Sequence, residues 1–171
     1  MKKIILFLIL IFILNSCQTN RKADGLIAKE KEQIGIKKAD KKHLDQNGFI
    51  KMSEINVKEF LNELIIDETR KNQINLLTTI GQTDKNWLNI KDLEFLVSKV
   101  ESNEKAKCVN RAISSFLPNP ENMTIGNQAI SIIESYRQNE PYPNALYICE
   151  IYDAEKRNEI RKWWNSKKNG R

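Results

Sequence analysis

Apolar residues are distributed along this chain in two different ways. Residues 4–14 are apolar without interruption, whereas from Ile55 onward the apolar positions recur three and four apart, the spacing of an amphipathic helix. Asn56 followed by Glu59 forms a capping-box pattern, and Val57, Phe60, Leu61, Leu64 and Ile65 supply the inner face of a first helix ending near Ile66. Asp67 or Thr69 then caps a second helix with Ile74, Leu77 and Ile80 on one face and Gly81 as its stop. A third opens at Asn89 (Leu93, Leu96, Val97, Val100). A fourth opens at Ser102 or Asn103 (Val109, Ala112, Ile113, Phe116) and closes at Pro118 and Pro120. A fifth covers residues 127–137 with Ala129, Ile132, Ile133 and Tyr136 inward, a short sixth follows Pro143, and Asp153 caps a seventh carrying Ile160, Trp163 and Trp164. No segment sustains a period of two, so the pattern predicts an all-α domain.

Within that pattern, Asn56-Val57-Lys58-Glu59-Phe60 and Asn89-Ile90-Lys91-Asp92-Leu93 match in character at every position, 33 residues apart, and each opens a predicted helix pair. The arrangement resembles the HEAT and armadillo class of stacked helical repeats without meeting a repeat consensus. It implies helix pairs stacked as a short solenoid; a compact orthogonal helical domain with two similar N-caps accounts for the echo as well.

The apolar run at the start has a different use. Lys2 and Lys3 precede it, and eleven residues at about 1.5 Å each cover roughly 17 Å, too short for a membrane-spanning helix and right for a secretory signal. At Leu14-Asn15-Ser16-Cys17 the chain resembles the lipobox of bacterial lipoprotein precursors: an aliphatic residue, a tolerant position, a small residue and an obligatory cysteine. The resemblance implies cleavage before Cys17, acylation of its thiol and a lipidated N-terminus on a membrane of the cell envelope. Two or three acyl chains at about 0.8 kcal/mol per buried CH₂ anchor stably without spanning the bilayer.

Charge divides the rest of the chain into a tether and a domain. Of 28 basic and 22 acidic residues, Arg21, Lys22, Lys29, Lys31, Lys37, Lys38, Lys41 and Lys42 crowd before His43, against Asp24, Glu30, Glu32 and Asp40. Residues 44–171 carry eighteen of each sign. The excess positive charge therefore lies beside the lipid anchor and not on a folded face, which argues against nucleic acid as a partner. Next to an acyl chain it adds about 1 kcal/mol per lysine on an anionic leaflet, or serves only to keep a linker extended. The organisation expected is a signal peptide at 1–16, lipidated Cys17 and a basic tether at 17–45, and one domain at 46–171.

Candidate chemistry is sparse. His43 is the only histidine and sits at the tether end, which excludes a histidine triad or multi-histidine metal site in the core. Cys108 and Cys149 either close one disulfide around a loop of about 40 residues or stand apart as buried apolar side chains at helix positions. His43-Leu44-Asp45-Gln46-Asn47-Gly48-Phe49-Ile50-Lys51-Met52-Ser53-Glu54 resembles the calcium loop of the EF-hand in placing Asp45, Asn47 and Glu54 at ligand positions. His43 stands where that loop wants an acid, and a plain turn on Asn47-Gly48 explains the same residues. Pro141-Tyr142-Pro143 reads as a stiff exposed loop and one ring of Trp163-Trp164 as half exposed, both of them candidate partner-binding features. No residue pattern implies a cofactor.

Together these observations predict a membrane-anchored bacterial lipoprotein with a helical, non-enzymatic protein-interaction domain. A narrower version is an immunity or inhibitor protein that occludes a toxin or hydrolase in the cell envelope, and an enzyme built on a carboxylate pair is the alternative from another class.

Overall fold

The computed structural model describes residues 42–69, 75–114 and 122–170. The signal segment, Cys17 and the tether up to residue 41 lie outside them, as do Ile74, Phe116, Pro118 and Pro120. Strands and helices alternate along the described residues: β1 (Ile50–Lys51), α1 (Val57–Leu64), β2 (Leu76–Ile80), α2 (Ile90–Lys99), β3 (Cys108–Arg111), α3 (Ile125–Arg137), β4 (Tyr147–Ile148) and α4 (Ala154–Asn169). The strands form one sheet in the order β1-β2-β3-β4, with the first three parallel and β4 antiparallel to β3. Ile50 registers with Thr79, Leu77 with Val109, and Val109 with Ile148.

The fold is therefore α/β, and the all-α expectation is wrong. The segment read as a second helix is β2, the segment read as a fourth contains β3, and the short sixth is a turn leading into β4. In β2, Leu76-Leu77-Thr78-Thr79-Ile80 is a short apolar and β-branched run between paired strands, where partial burial on both faces erases the alternation that would have marked it. The helical-repeat reading falls with it. Asn56 and Asn89 do cap helices in matching boxes, each accepting two backbone N–H groups while Glu59 or Asp92 reaches back to the cap nitrogen. What recurs after 33 residues, though, is one strand-plus-helix unit of a parallel sheet and not a helix pair.

Four predicted helices persist because their signals are local. Thr124 caps α3, which begins at Ile125, two residues before the expected start, and Asp153 caps α4. Helix α3 is the centre of the fold: Ile125, Ala129, Ile130, Ile132 and Ile133 are all buried, and Phe60 and Leu64 of α1, Leu93 and Leu96 of α2, and Ile160 of α4 are buried with them. Each such large side chain contributes about 1.5–3 kcal/mol by leaving water. A helix buried on every side also buries polar groups, and these are satisfied. Gln128 Nε2 donates to the Lys107 carbonyl at 2.7 Å, Asn127 Oδ1 accepts from Arg157 at 2.8 Å, and Ser131 and Ser135 return their hydroxyl protons to carbonyls one turn back.

The two cysteines sit on the sheet and not on helices. Cys108 opens β3, Cys149 follows β4, and a disulfide joins them across these antiparallel neighbours with a Cα–Cα distance of 4.9 Å and a sequence separation of 41. The folded unit also reaches back to residue 42: Leu44 bridges to Ile50, and the His43 carbonyl accepts from Lys51 N at 2.8 Å. No helix of the described residues is long and apolar enough to cross a membrane.

Candidate ligand cleft

Tyr142 goes inward, against the expectation of an exposed Pro-Tyr-Pro loop. It is 2% exposed and Pro143 beside it is buried. Its ring stacks on Trp87 at 6.1 Å and meets Phe60 edge-on at 5.6 Å, its hydroxyl donates to Gln128 Oε1 at 3.2 Å, and its backbone exchanges hydrogen bonds with Thr83. Burial pushes its phenol far above the ordinary value. Trp87 in turn donates to the Ile55 carbonyl at 2.8 Å. This aromatic set locks the β2–α2 loop, which begins at Gly81, onto the segment after α3. Gly81 holds φ +73°, a turn that a side chain would strain.

That lock fixes one wall of an open cleft of about 470 Å³. Lys85, Asn86 and Leu88 come from the β2–α2 loop, Tyr136, Arg137, Asn139 and Glu140 from the end of α3, and Trp163 and Lys167 from α4. Trp163 and Trp164 diverge as neighbours about 100° apart on a helix must: Trp164 is 6% exposed in the core, while Trp163 is half-buried and lines the cleft. Tyr136 and Trp163 meet edge-to-face at 6.3 Å. Arg137 lies over the Trp163 ring at 5.4 Å, and the Lys167 ammonium lies over Tyr136 at 5.1 Å and over Trp163 at 5.7 Å.

The cations of the cleft are not equivalent. Arg137 is neutralised by Glu134 at 2.5 Å and Glu159 at 2.7 Å, a network that Lys156 completes. Burial works to lower the Arg137 guanidinium, but the Glu159 and Glu134 carboxylates outweigh it and hold it above its ordinary value. Among the described residues no carboxylate pairs with Lys167 or Lys85. Lys167 is held by ring faces, so its N–H donors stay open to a ligand.

A second hollow of about 380 Å³ gathers Glu134, Glu150, Tyr147, Tyr152 and Lys156. Tyr152 donates to Glu150 at 2.7 Å, and its phenol is pushed up to about 12, chiefly by burial. Glu134 is committed there to Arg137 and Lys156.

At the other candidate residues, Asp45 Oδ1 accepts the Asn47 and Phe49 backbone N–H groups at 2.8 Å each, and Oδ2 accepts the Asn47 amide at 3.2 Å. Burial raises this carboxyl, yet those hydrogen bonds prevail and leave it below its ordinary value. Glu54 pairs with Lys51 at 3.2 Å, and Gly48 takes φ +80° at the turn. The Asp45 carboxylate and one Glu54 oxygen, which a calcium loop would aim at an ion, are thus engaged within the turn, and no group of three or more acidic, histidine or cysteine side chains among the described residues is placed to hold a metal. His43 Nε2 faces Glu63 at 3.5 Å.

Of the candidate site residues singled out in the sequence, the structure brings only Trp163 into the cleft. Arg137, Lys167 and Lys85 were missed and Tyr136 was read only as an inward helix residue, although Lys167, four residues beyond Trp163, shares its helical face. Comparison with protein-family models, curated proteins and solved structures finds no match to this chain.

Proposed function

We propose that this chain is a bacterial cell-envelope lipoprotein, held on a membrane through acylated Cys17 and a basic tether, whose α/β domain binds a protein partner without transforming it. The observation that carries the binding half is the cleft at Trp163. A half-buried tryptophan, a tyrosine and an arginine in one concavity are the side chains that dominate interface energies, and here they are held in place by the packing of three segments. Glu134 and Glu159 are tied up in ion pairs with lysine and arginine, and Glu140 and Glu150 accept from Asn144 and Tyr152, which favours a binding role over acid–base chemistry. The disulfide across β3 and β4 fits an oxidising, extracytoplasmic setting. The anchor rests on the lipobox-like Leu14-Asn15-Ser16-Cys17.

Two measurements test the two halves. Cys17→Ser is expected to move the protein from the membrane to the soluble fraction or to block its processing, and unchanged fractionation overturns the anchor. A photoreactive residue in place of Leu88 or Asn139 in the full chain, irradiated in intact cells, is expected to yield a discrete protein adduct. No adduct from either position overturns the binding role.

A further inference from the structure

From the same cleft we infer the chemistry of the partner, resting on the binding role just proposed: it presents an acidic peptide segment whose carboxylate is taken between Lys167 and Lys85. Lys167 is the central group. Several exposed lysines of the domain face a carboxylate, as Lys168 faces Glu94, Lys105 faces Glu68 and Lys51 faces Glu54. Lys167 is instead positioned by Tyr136 and Trp163, which restrict its ammonium without consuming its donors or cancelling its charge. An ordered cation with no carboxylate beside it, at the wall of a concavity, is organised for an anion. Lys85, with no carboxylate paired to it among the described residues, adds a second positive charge from the β2–α2 loop, and Glu140 is the one acid among the lining residues.

The partner is better described as a peptide than as a sugar or a lipid surface. A sugar ring would stack on an aromatic face, but here each ring already carries a cation over its face: Lys167 over both, and Arg137 over Trp163 as well. A bilayer is drawn to a broad polybasic surface, whereas residues 44–171 carry balanced charge and Lys85 and Lys167 sit within a cleft; Lys58 and Lys99, which lie over Phe95, do not line it. An extended segment bearing a carboxylate can enter a cleft of this size and be read by clustered cations.

The test uses the full chain in detergent and a fluorescein-labelled octapeptide of alternating Glu and Gly, with the Gln counterpart as control, read by anisotropy. The Glu peptide is expected to bind, to weaken as salt rises, and to lose about tenfold in affinity in the Lys85→Met, Lys167→Met double variant, with Lys167→Arg restoring part of the loss. A far-ultraviolet spectrum matching wild type shows that the variant is folded. Equal binding of Glu and Gln peptides, or an unaltered affinity in the double variant, overturns the inference. So does binding confined to an oligogalacturonate, which would make the ligand an acidic glycan, or confined to phosphatidylglycerol vesicles, which would make it the membrane. A photoadduct from the cleft in cells together with no preference for the Glu peptide leaves the binding role standing and removes only the acidic partner; no adduct at all removes the role itself.

Discussion

Gly126 sits where three helices meet with no room for a side chain, and Gly126→Ala is expected to destabilise the domain by about 2 kcal/mol despite the better helix propensity of alanine. The glycine lies in the first turn of α3, with its N–H on the Ser102 carbonyl at 3.1 Å. An added Cβ would stand 2.6 Å from the Val100 carbonyl oxygen, 2.7 Å from that of Ser102 and 2.9 Å from Arg157 Nη1. Two of the three are backbone atoms and cannot swing aside. The third belongs to a guanidinium that donates to the Val100 carbonyl and to Asn127 Oδ1, so moving it strips partners from two buried acceptors. Overpacking of this kind costs about 3 kcal/mol at the upper end, and alanine in place of glycine returns about 1 kcal/mol in a helix. For a domain of this size the net loss lowers the melting temperature by about 6–10 °C. Circular dichroism melts of the full chain with its disulfide intact provide the measurement. Gly170→Ala is the control, since its Cβ would meet only the Ser166 carbonyl, at 3.4 Å. A Gly126→Ala protein melting at or above wild type would refute the packing account of how α2, α3 and α4 meet.

Two other perturbations bear on different parts of the structure. Replacing both Cys108 and Cys149 by alanine releases a crosslink spanning 41 residues, worth about 4 kcal/mol on the chain-entropy model; a drop of more than about 10 °C in melting temperature is expected, and coincident melts of oxidised and reduced protein would contradict it. Burial raises Tyr142 and Tyr152 above the ordinary tyrosine value, Tyr152 to about 12, so their contribution is fully present below about pH 10 and is lost as pH rises through the folded values. Stability should therefore fall on the alkaline side from about pH 10, less steeply in Tyr142→Phe, and an unaltered alkaline limb in that variant would remove Tyr142 as its source.

What could be read from the sequence of this fold divides along the reach of the signals. The N-caps Asn56, Asn89 and Asp153 act within three residues of themselves, and all three helices begin where those side chains predict. Strand signals had no such reach. β1 and β4 are two residues each, too short to show any period, and β3 has four. In β2 the spacing of Leu77 and Ile80 imitated a helical face because three residues apart suits a helix, while Thr78 and Thr79 between them carried the β-branched preference that decides in a paired strand. Gly81 ended the segment under either reading. Tyr142 misled for a related reason: flanking prolines suggested an outward turn, but Thr83 and Gln128, which satisfy its backbone and hydroxyl, lie 59 and 14 residues away.

The cleft divides in the same way. Trp163 and Lys167 belong to one helical face, and the angle between Trp163 and Trp164 requires that one ring leave the core, so this wall comes from helix geometry alone. Lys85 and Asn86 have no local mark that sets them apart from any polar loop. They reach the cleft because β2 ends at Ile80, Gly81 turns the chain, and Trp87 packs on Tyr142 and Phe60. Pairing of β2 with β1 and β3 is thus a condition for the second cation to face the first. Loosening that aromatic lock should displace Lys85 from the cleft while leaving Lys167 on its rings, since the wall that Lys167 occupies is built by α3 and α4 without the loop.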